Sequence, residues 1–414
     1  MNRKQFLEIW ANHGLLMVLF KVFNFYILNT LLQQYITLEE FPLYGALIYL
    51  PTLVLLFVVP KLLESTNVFT ALKRCLDFIF ILFLGFWLVI LTDKVLLSNL
   101  LVVLAGVVFL ASMESIFFDK VTATYCAYAD LPFVITTTRQ ANTLGYAIGP
   151  LVGSFFFNKL SFADLLVTSI VVILIYRVFL LLVHWNLQKN VSLQSQFKSQ
   201  GIELNVSRSS ILYLYSLNFM WLNLVSIMII PFYSFYFSVS QIGIILSFAG
   251  VGMLVGNLFS ISLYTRFNYH ILFHLAALGL LFSLCMVAFL GGHYFWSCFF
   301  IGWGSFFASI CYALAQYFSL SIVDSGSLSH FYGIRNLINA LISVVLFLLL
   351  WCLVSSSLSH FLRNIFHIQQ AKLMSLFFLL LVFICIGFYI FNFIYSRQFK
   401  ECATSGAKVH PGQI

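Results

Sequence analysis

Residues 139–154 read RQANTLGYAIGPLVGS and lie inside an apolar segment, 133–157, long enough to cross a membrane as the fifth of twelve helices. Gly145, Gly149 and Gly153 fall four residues apart. At about 100° per residue this spacing brings all three onto one face of a helix. A stripe without side chains lets another helix approach to backbone distance, as small residues do at membrane interfaces. Pro150 lacks a backbone donor and crowds the carbonyl one turn earlier, so the helix is expected to bend or loosen at the level of the glycines. Three glycines at this spacing fit ordinary close packing, and with the proline they fit a bendable working seam.

The chain around this stretch is built for lipid. Of its 414 residues 62% are hydrophobic and 8% charged, with a mean hydropathy of +1.02. A soluble protein carries about 25% charged residues, so this chain lacks the polar surface to face water and reads as a polytopic membrane protein. The opening MNRKQFLEIW runs directly into a long span, with no short apolar region and small-residue cleavage site, so the first span is expected to act as its own targeting signal. Eight cysteines form no C-x-x-C pair and no Cys/His cluster with metal spacing, and most lie in apolar runs where Cys behaves as a small hydrophobe. No disulfide, metal or cofactor is expected. The 48 phenylalanines read as lipid-facing bulk. Neither H-E-x-x-H, G-x-S-x-G, a phosphate-binding loop nor a nucleotide fingerprint occurs, so the expectation is a protein that is not an enzyme.

Runs of about 20 apolar residues predict spans at 8–34, 41–62, 74–92, 95–118, 133–157, 162–184, 210–237, 241–264, 270–290, 293–319, 332–354 and 372–396. The longest polar stretch, HWNLQKNVSLQSQFKSQGIELNVSRSS from His184 to Ser210, separates six from six. The expected organisation is a six-helix half (1–184), a connector (185–209), a second six-helix half (210–396) and a tail (397–414). The connector's Ser/Gln/Asn composition reads as a tether, since it lacks a strong amphipathic pattern. With both termini inside, sixteen of the 21 Lys and Arg fall on the cytoplasmic side and four (Lys94, Lys159, Arg363, Lys372) outside, while Lys21 stays within the first span. Topology thus accounts for the net charge of +8, and no nucleic-acid partner is implied.

Gly145-x3-Gly149-Pro150-x2-Gly153-Ser154 resembles the helix 5 signature of the major facilitator superfamily associated with its exporter branches, with Ser154 in place of a final glycine. The six-plus-six layout is similar to that superfamily's fold, in which two halves enclose one central cavity. GVGMLVGNLFSISLYTRFN, from Gly250, resembles helix 8 of the enterobactin- and drug-exporter branches. The helix 2–3 loop, PKLLESTNVFTALKR, keeps only a degenerate form of the superfamily's best-known loop signature, and the exporters' usual helix 4 arginine is absent.

Charges within spans cost roughly 2.5–3.5 kcal/mol and normally face the protein interior. Lys21, in MVLFKVFNFYIL, and Glu114, in FLASMESIFF, are therefore candidate substrate- or ion-binding residues, joined by Asn24 three positions from Lys21. The two charges either pair as a strut or stay apart, which would make either a proton carrier. Helices 1, 4, 7 and 10 line the cavity in the fold the resemblance implies. On helix 7 this points to Asn218 and Asn223, and on helix 10 to Tyr312 and Gln316, one turn apart. Trp221 and Trp303 read as interfacial belt residues. Asp130 and Arg139 before helix 5, and Asp324 and Arg335 before helix 11, form a weak internal repeat in RQAN and RNLIN, read either as gate relays or as positive-inside anchors.

The resemblance implies a monomeric secondary transporter in the inner membrane, both termini cytoplasmic, exporting a siderophore-like metabolite or drug-like amphiphile as a proton antiporter. One Lys, one carboxylate, amides and aromatics suit an amphipathic or weakly anionic molecule better than a sugar. Two other classes fit the same composition: a flippase moving membrane lipids, and a non-transporting receptor or assembly factor.

Overall fold

The structure is a computed structural model that describes residues 3–37, 39–55, 58, 68–92, 96–125, 131–157, 159–188, 208–266, 269–322, 328–355, 372 and 375–390. Within these the chain is all-helical. Helix α1 spans Arg3–Thr30 and continues as a π-helical turn, Leu31–Tyr35. Helix α2 spans Phe41–Tyr49 and tightens into a 3₁₀ turn, Leu50–Val54. Then follow α3 (Val68–Leu91), α4 (Leu97–Tyr125), α5 (Leu131–Phe156) and α6 (Phe162–Gln188). Helix α7 runs Arg208–Asn223, through a π-helical turn Leu224–Met228, to Ile229–Tyr233. The remainder are α8 (Val239–Arg266), α9 (Tyr269–Leu290), α10 (Tyr294–Ile322), α11 (Leu328–Ser355) and α12 (Ser375–Ile390). Among the described residues nine helices are long and apolar enough to cross a membrane. Helix α5 is not one of them, because Arg139, Gln140 and Asn142 lower its hydropathy; Arg139 and Asn142 face the interior of the protein.

The glycines set how these helices meet. A Cβ on Gly145 would lie 2.7 Å from the Met17 carbonyl oxygen, one on Gly149 would collide with the Lys21 Cβ, and one on Gly153 would reach 3.0 Å from the Phe25 ring. Residues 17, 21 and 25 repeat at the same four-residue interval, so α1 and α5 run parallel with the glycine stripe against one face of α1. The opposite side of α5 meets α8: Gly243 sits against Ser154 and Pro150, and Gly250 against the backbone of Tyr146 and Ala147. Gly252 and Gly256 then pack α8 onto the carbonyls of Gly302 and Phe306 in α10. Helix α5 runs unbroken through Pro150, so the expected bend does not interrupt it.

The packing has internal twofold character. Helices α5 and α8 form one seam between the first six and the last six helices, and α2 and α11 form the other. Adding six to each helix number exchanges the two pairs. Gly45 packs on the Phe347 ring in the second seam. The two π-helical turns also correspond, lying at the end of α1 and late in α7. Helix starts on the face opposite the N-terminus carry reciprocal capping boxes: Thr37 with Glu40 before α2, Ser161 with Asp164 at α6, and Ser238 with Gln241 at α8. Hydrogen bonds from the Thr37 amide and hydroxyl hold the exposed Glu40 carboxyl below its ordinary range. Phenylalanines such as Phe78, Phe289, Phe295 and Phe383 cover the outer surface.

The α5–α8 contact yields a direct test. Gly250→Val forces a side chain into the α5 backbone and should lower stability by about 1–3 kcal/mol or prevent folding. Gly85→Ala, at a helix position with open space around it, should be neutral or stabilise by about 0.5–1 kcal/mol. Thermal unfolding of the purified variants in detergent reads both.

Candidate functional site

Where α1, α4, α5, α7, α10 and α11 converge, with Tyr49 of α2, they enclose a cavity of about 190 Å³. Its polar wall is assembled from both halves: Lys21 and Asn24 of α1, Arg139, Asn142 and Tyr146 of α5, Asn223 and Ser226 of α7, Tyr312 of α10, and Arg335, Asn336 and Asn339 of α11. Met17, Phe20, Val107, Phe219 and Leu222 supply the apolar remainder. The geometry of α5 explains its share. Gly149 brings the α1 backbone close enough that the Lys21 ammonium reaches back over the Tyr146 ring, 3.8 Å from its centroid. The Tyr146 hydroxyl in turn accepts a 3.1 Å hydrogen bond from Ser226, the middle residue of the π-helical turn of α7. A π turn rotates side chains relative to a regular helix and is frequent at functional sites. Here it carries α7 from Asn223, bonded to Asn339 of α11 at 3.1 Å, to Ser226 on the same cavity wall.

Tyr312 is the hub at the N-terminal end of the cavity. The Arg139 guanidinium stacks over its ring, 3.2 Å from the centroid, while Arg335 Nη1 donates to its hydroxyl at 2.8 Å. The same nitrogen donates to Asp119 Oδ2 of α4 at 3.0 Å, and both partners of this ion pair are 4% exposed. First-half Asp119 and Arg139 therefore meet second-half Arg335 and Tyr312 in one buried cluster. Arg139 is 8% exposed and its Nε has no hydrogen-bond partner.

A second buried polar group lies within the first half. His13 Nδ1 is 2.8 Å from Glu114 Oε1, and its Nε2 is 2.9 Å from Asn142 Oδ1 on the cavity wall. Both His13 and Glu114 are fully buried. Phe118 stacks on the imidazole at 3.8 Å, and the Tyr176 hydroxyl of α6 donates to Glu114 Oε1 at 3.3 Å. Glu114 Oε2 has no partner.

The structure thus brings Lys21, Asn24, Asn223, Tyr312, Arg139 and Arg335 together around one cavity. It separates Lys21 from Glu114: the lysine packs on Tyr146 and the carboxylate belongs to His13, so the two do not form a strut. Gln316 and Asn218 are buried but are not among the residues of the cavity wall; Gln316 Oε1 and both amide atoms of Asn218 lack partners. Gly145, Gly149, Pro150 and Gly153 act through packing, while Asp130 and Asp324 lie outside the described residues. Trp221 is not an interfacial residue: it is 1% exposed, packs on Gly304, and donates to Ser305 Oγ at 2.8 Å. Trp303 is 42% exposed.

Three residues of this arrangement escape a reading of the sequence. His13 sits near a predicted helix end, where histidines are common. Asp119 precedes Lys120 and reads as an interfacial charge pair. Tyr146 is hidden inside a packing motif. The one available signal was the repeat itself, since Arg139 with Asn142 and Arg335 with Asn339 recur in corresponding helices.

No protein-family model and no curated protein matches the sequence. Solved structures do match. A bacterial homologue of the human lysosomal transporter Spinster, inward-facing and unoccupied, aligns over 97% of this chain and 99% of its own, with a TM-score of 0.59 at 15% identity. The same homologue in its occupied form gives 0.60 at 14% identity, over 95% of this chain and 96% of its own. The major facilitator superfamily proton:xylose symporter XylE, bound to 6-bromo-6-deoxy-D-glucose, gives 0.63 at 12% identity over 92% of this chain and 95% of its own. The neighbours span more than nine-tenths of the chain, and this multi-pass membrane protein has the major facilitator fold, with twelve helices and no strand among the described residues.

Proposed function

We propose that this chain is a major facilitator superfamily member, a secondary transporter that exports a small organic molecule from the cytoplasm across an inner membrane, driven by the proton gradient. The observation that carries the reading is the central cavity, whose polar wall is shared between residues 1–184 and 210–396 and can face either side only if those two halves move relative to each other. The helix 5 glycine stripe, in contact with α1, and the glycines of α8 support an exporter-like seam. The excess of basic residues on one side supports cytoplasmic termini.

Alternating access needs contacts that break. The Asp119–Arg335 pair, with Arg139 and Arg335 both on Tyr312, joins the halves about two turns in from the N-terminal face. Breaking one partner of a buried pair leaves an uncompensated charge and costs about 3–5 kcal/mol. The pair therefore acts as a latch on the cytoplasmic side.

The coupling proton has a place to reside. With His13 Nε2–H donating to Asn142, a single proton between Nδ1 and Glu114 Oε1 satisfies both groups. The Tyr176 hydroxyl of α6 also donates to Glu114, and Asn142 links the dyad to the cavity.

Export is tested by comparing small molecules released into the medium by cells with and without the gene. Loss of one secreted compound, with build-up inside, is expected; an unchanged medium with altered lipid leaflet distribution would replace export by lipid flipping. Asp119→Asn should lower the thermal stability of the purified protein markedly, and the swap Asp119→Arg with Arg335→Asp should recover part of it. Glu114→Gln and His13→Gln should leave transport in proteoliposomes at its rate without a pH gradient, removing the acceleration that a gradient gives the unaltered protein.

A further inference from the structure

We infer that the molecule carried in this cavity bears an oxyanion, a carboxylate, phosphate or sulfonate, held by Lys21 and Arg139, with an apolar body on the facing wall. This rests on reading the cavity as the transport site. The charge count comes first. Three cations line the cavity and, among the described residues, no carboxylate does. Asp119 answers Arg335 at 3.0 Å. Glu114, the other charge within a span, is paired with His13 and not with Lys21. Lys21 and Arg139 remain, and no described carboxylate lies within ion-pair distance of either.

Both cations rest on aromatic faces instead, Lys21 on Tyr146 and Arg139 on Tyr312. A cation on a ring recovers only part of what burial removes from its hydration. Arg139 lines the cavity while more than nine-tenths buried, and its Nε is enclosed without a partner. An entering oxyanion would supply the missing counter-charge, whereas a neutral or cationic molecule would leave that cost standing or add to it. Asn142 and Asn223 offer amides nearby, while Phe20, Val107, Phe219 and Leu222 offer apolar contact to the rest of the molecule. The lysine's position depends on Gly149, and that of the arginine on Tyr312, so the packing seam and the binding site are one construction.

The oxyanion can belong to a soluble molecule or to a lipid headgroup, and the test separates these. The full chain is placed in phosphatidylcholine nanodiscs and its unfolding temperature is measured with phenyl phosphate against benzylamine and benzyl alcohol, and with dihexanoyl phosphatidic acid against dihexanoyl phosphatidylcholine. At a tenfold excess over its dissociation constant, the anionic member of either set should raise the midpoint by about 1–3 °C, and the others should not. The set that responds identifies the source. The rise should vanish in Lys21→Gln and in Arg139→Gln and survive in Lys21→Arg. Should those glutamine variants not fold, the rise in the unaltered protein must shrink when NaCl goes from about 50 mM to 500 mM. Equal rises with benzylamine or benzyl alcohol, or no rise with either anion, overturn the inference. Charge-selective binding without any exported compound would instead remove the transport reading and leave the anion site standing.

Discussion

The backbone-distance approach of α5 to α1 on one side and to α8 on the other is the constraint on which the rest of the structure depends. Side chains at Gly145, Gly149 and Gly250 would meet backbone or the root of a side chain, where no rotamer change can relieve the overlap. Because lipid is as apolar as the helices, their association rests on such close contact rather than on burial of apolar surface from water. The seam therefore both holds the halves together and fixes the depth at which Lys21 enters the cavity.

Two buried polar clusters border the cavity. Asp119, Arg335, Tyr312 and Arg139 tie one half to the other near the N-terminal face. His13, Glu114 and Tyr176 lie wholly within the first half and touch the cavity only through Asn142. On the proposed reading, a proton held by the second cluster acts on the cavity through Asn142 without contacting the substrate.

The fold was largely legible in the sequence, because twelve apolar runs separated by polar breaks, with a long polar break at the centre, leave few alternatives in a bilayer. The cavity was legible in part. Lys21 and Asn24 stood out as polar residues in a span, and Arg139 and Arg335 through their repeat. The pairing of charges was not legible: whether Glu114 meets Lys21 or His13 depends on the rotation of α1 and α4, which hydropathy does not encode. Asp119 was invisible for a related reason. A carboxylate beside a lysine at a predicted span end looks solvated until a helix from the other half is found packed over it. Trp221 shows the converse, an aromatic read as interfacial that is wholly interior, with Gly304 making room for it.

The central claim is that the halves rock about the cavity with the Asp119–Arg335 pair latching one side. Spin-label distances test it most directly, one pair on the N-terminal face at Arg74 and Ile271 and one on the opposite face at Lys159 and His293, all four partly or fully accessible except where lipid covers them. In Asp119→Asn the first distance should lengthen while the second shortens. If both lengthen, or neither changes, the two faces are not linked through the cavity and the account fails.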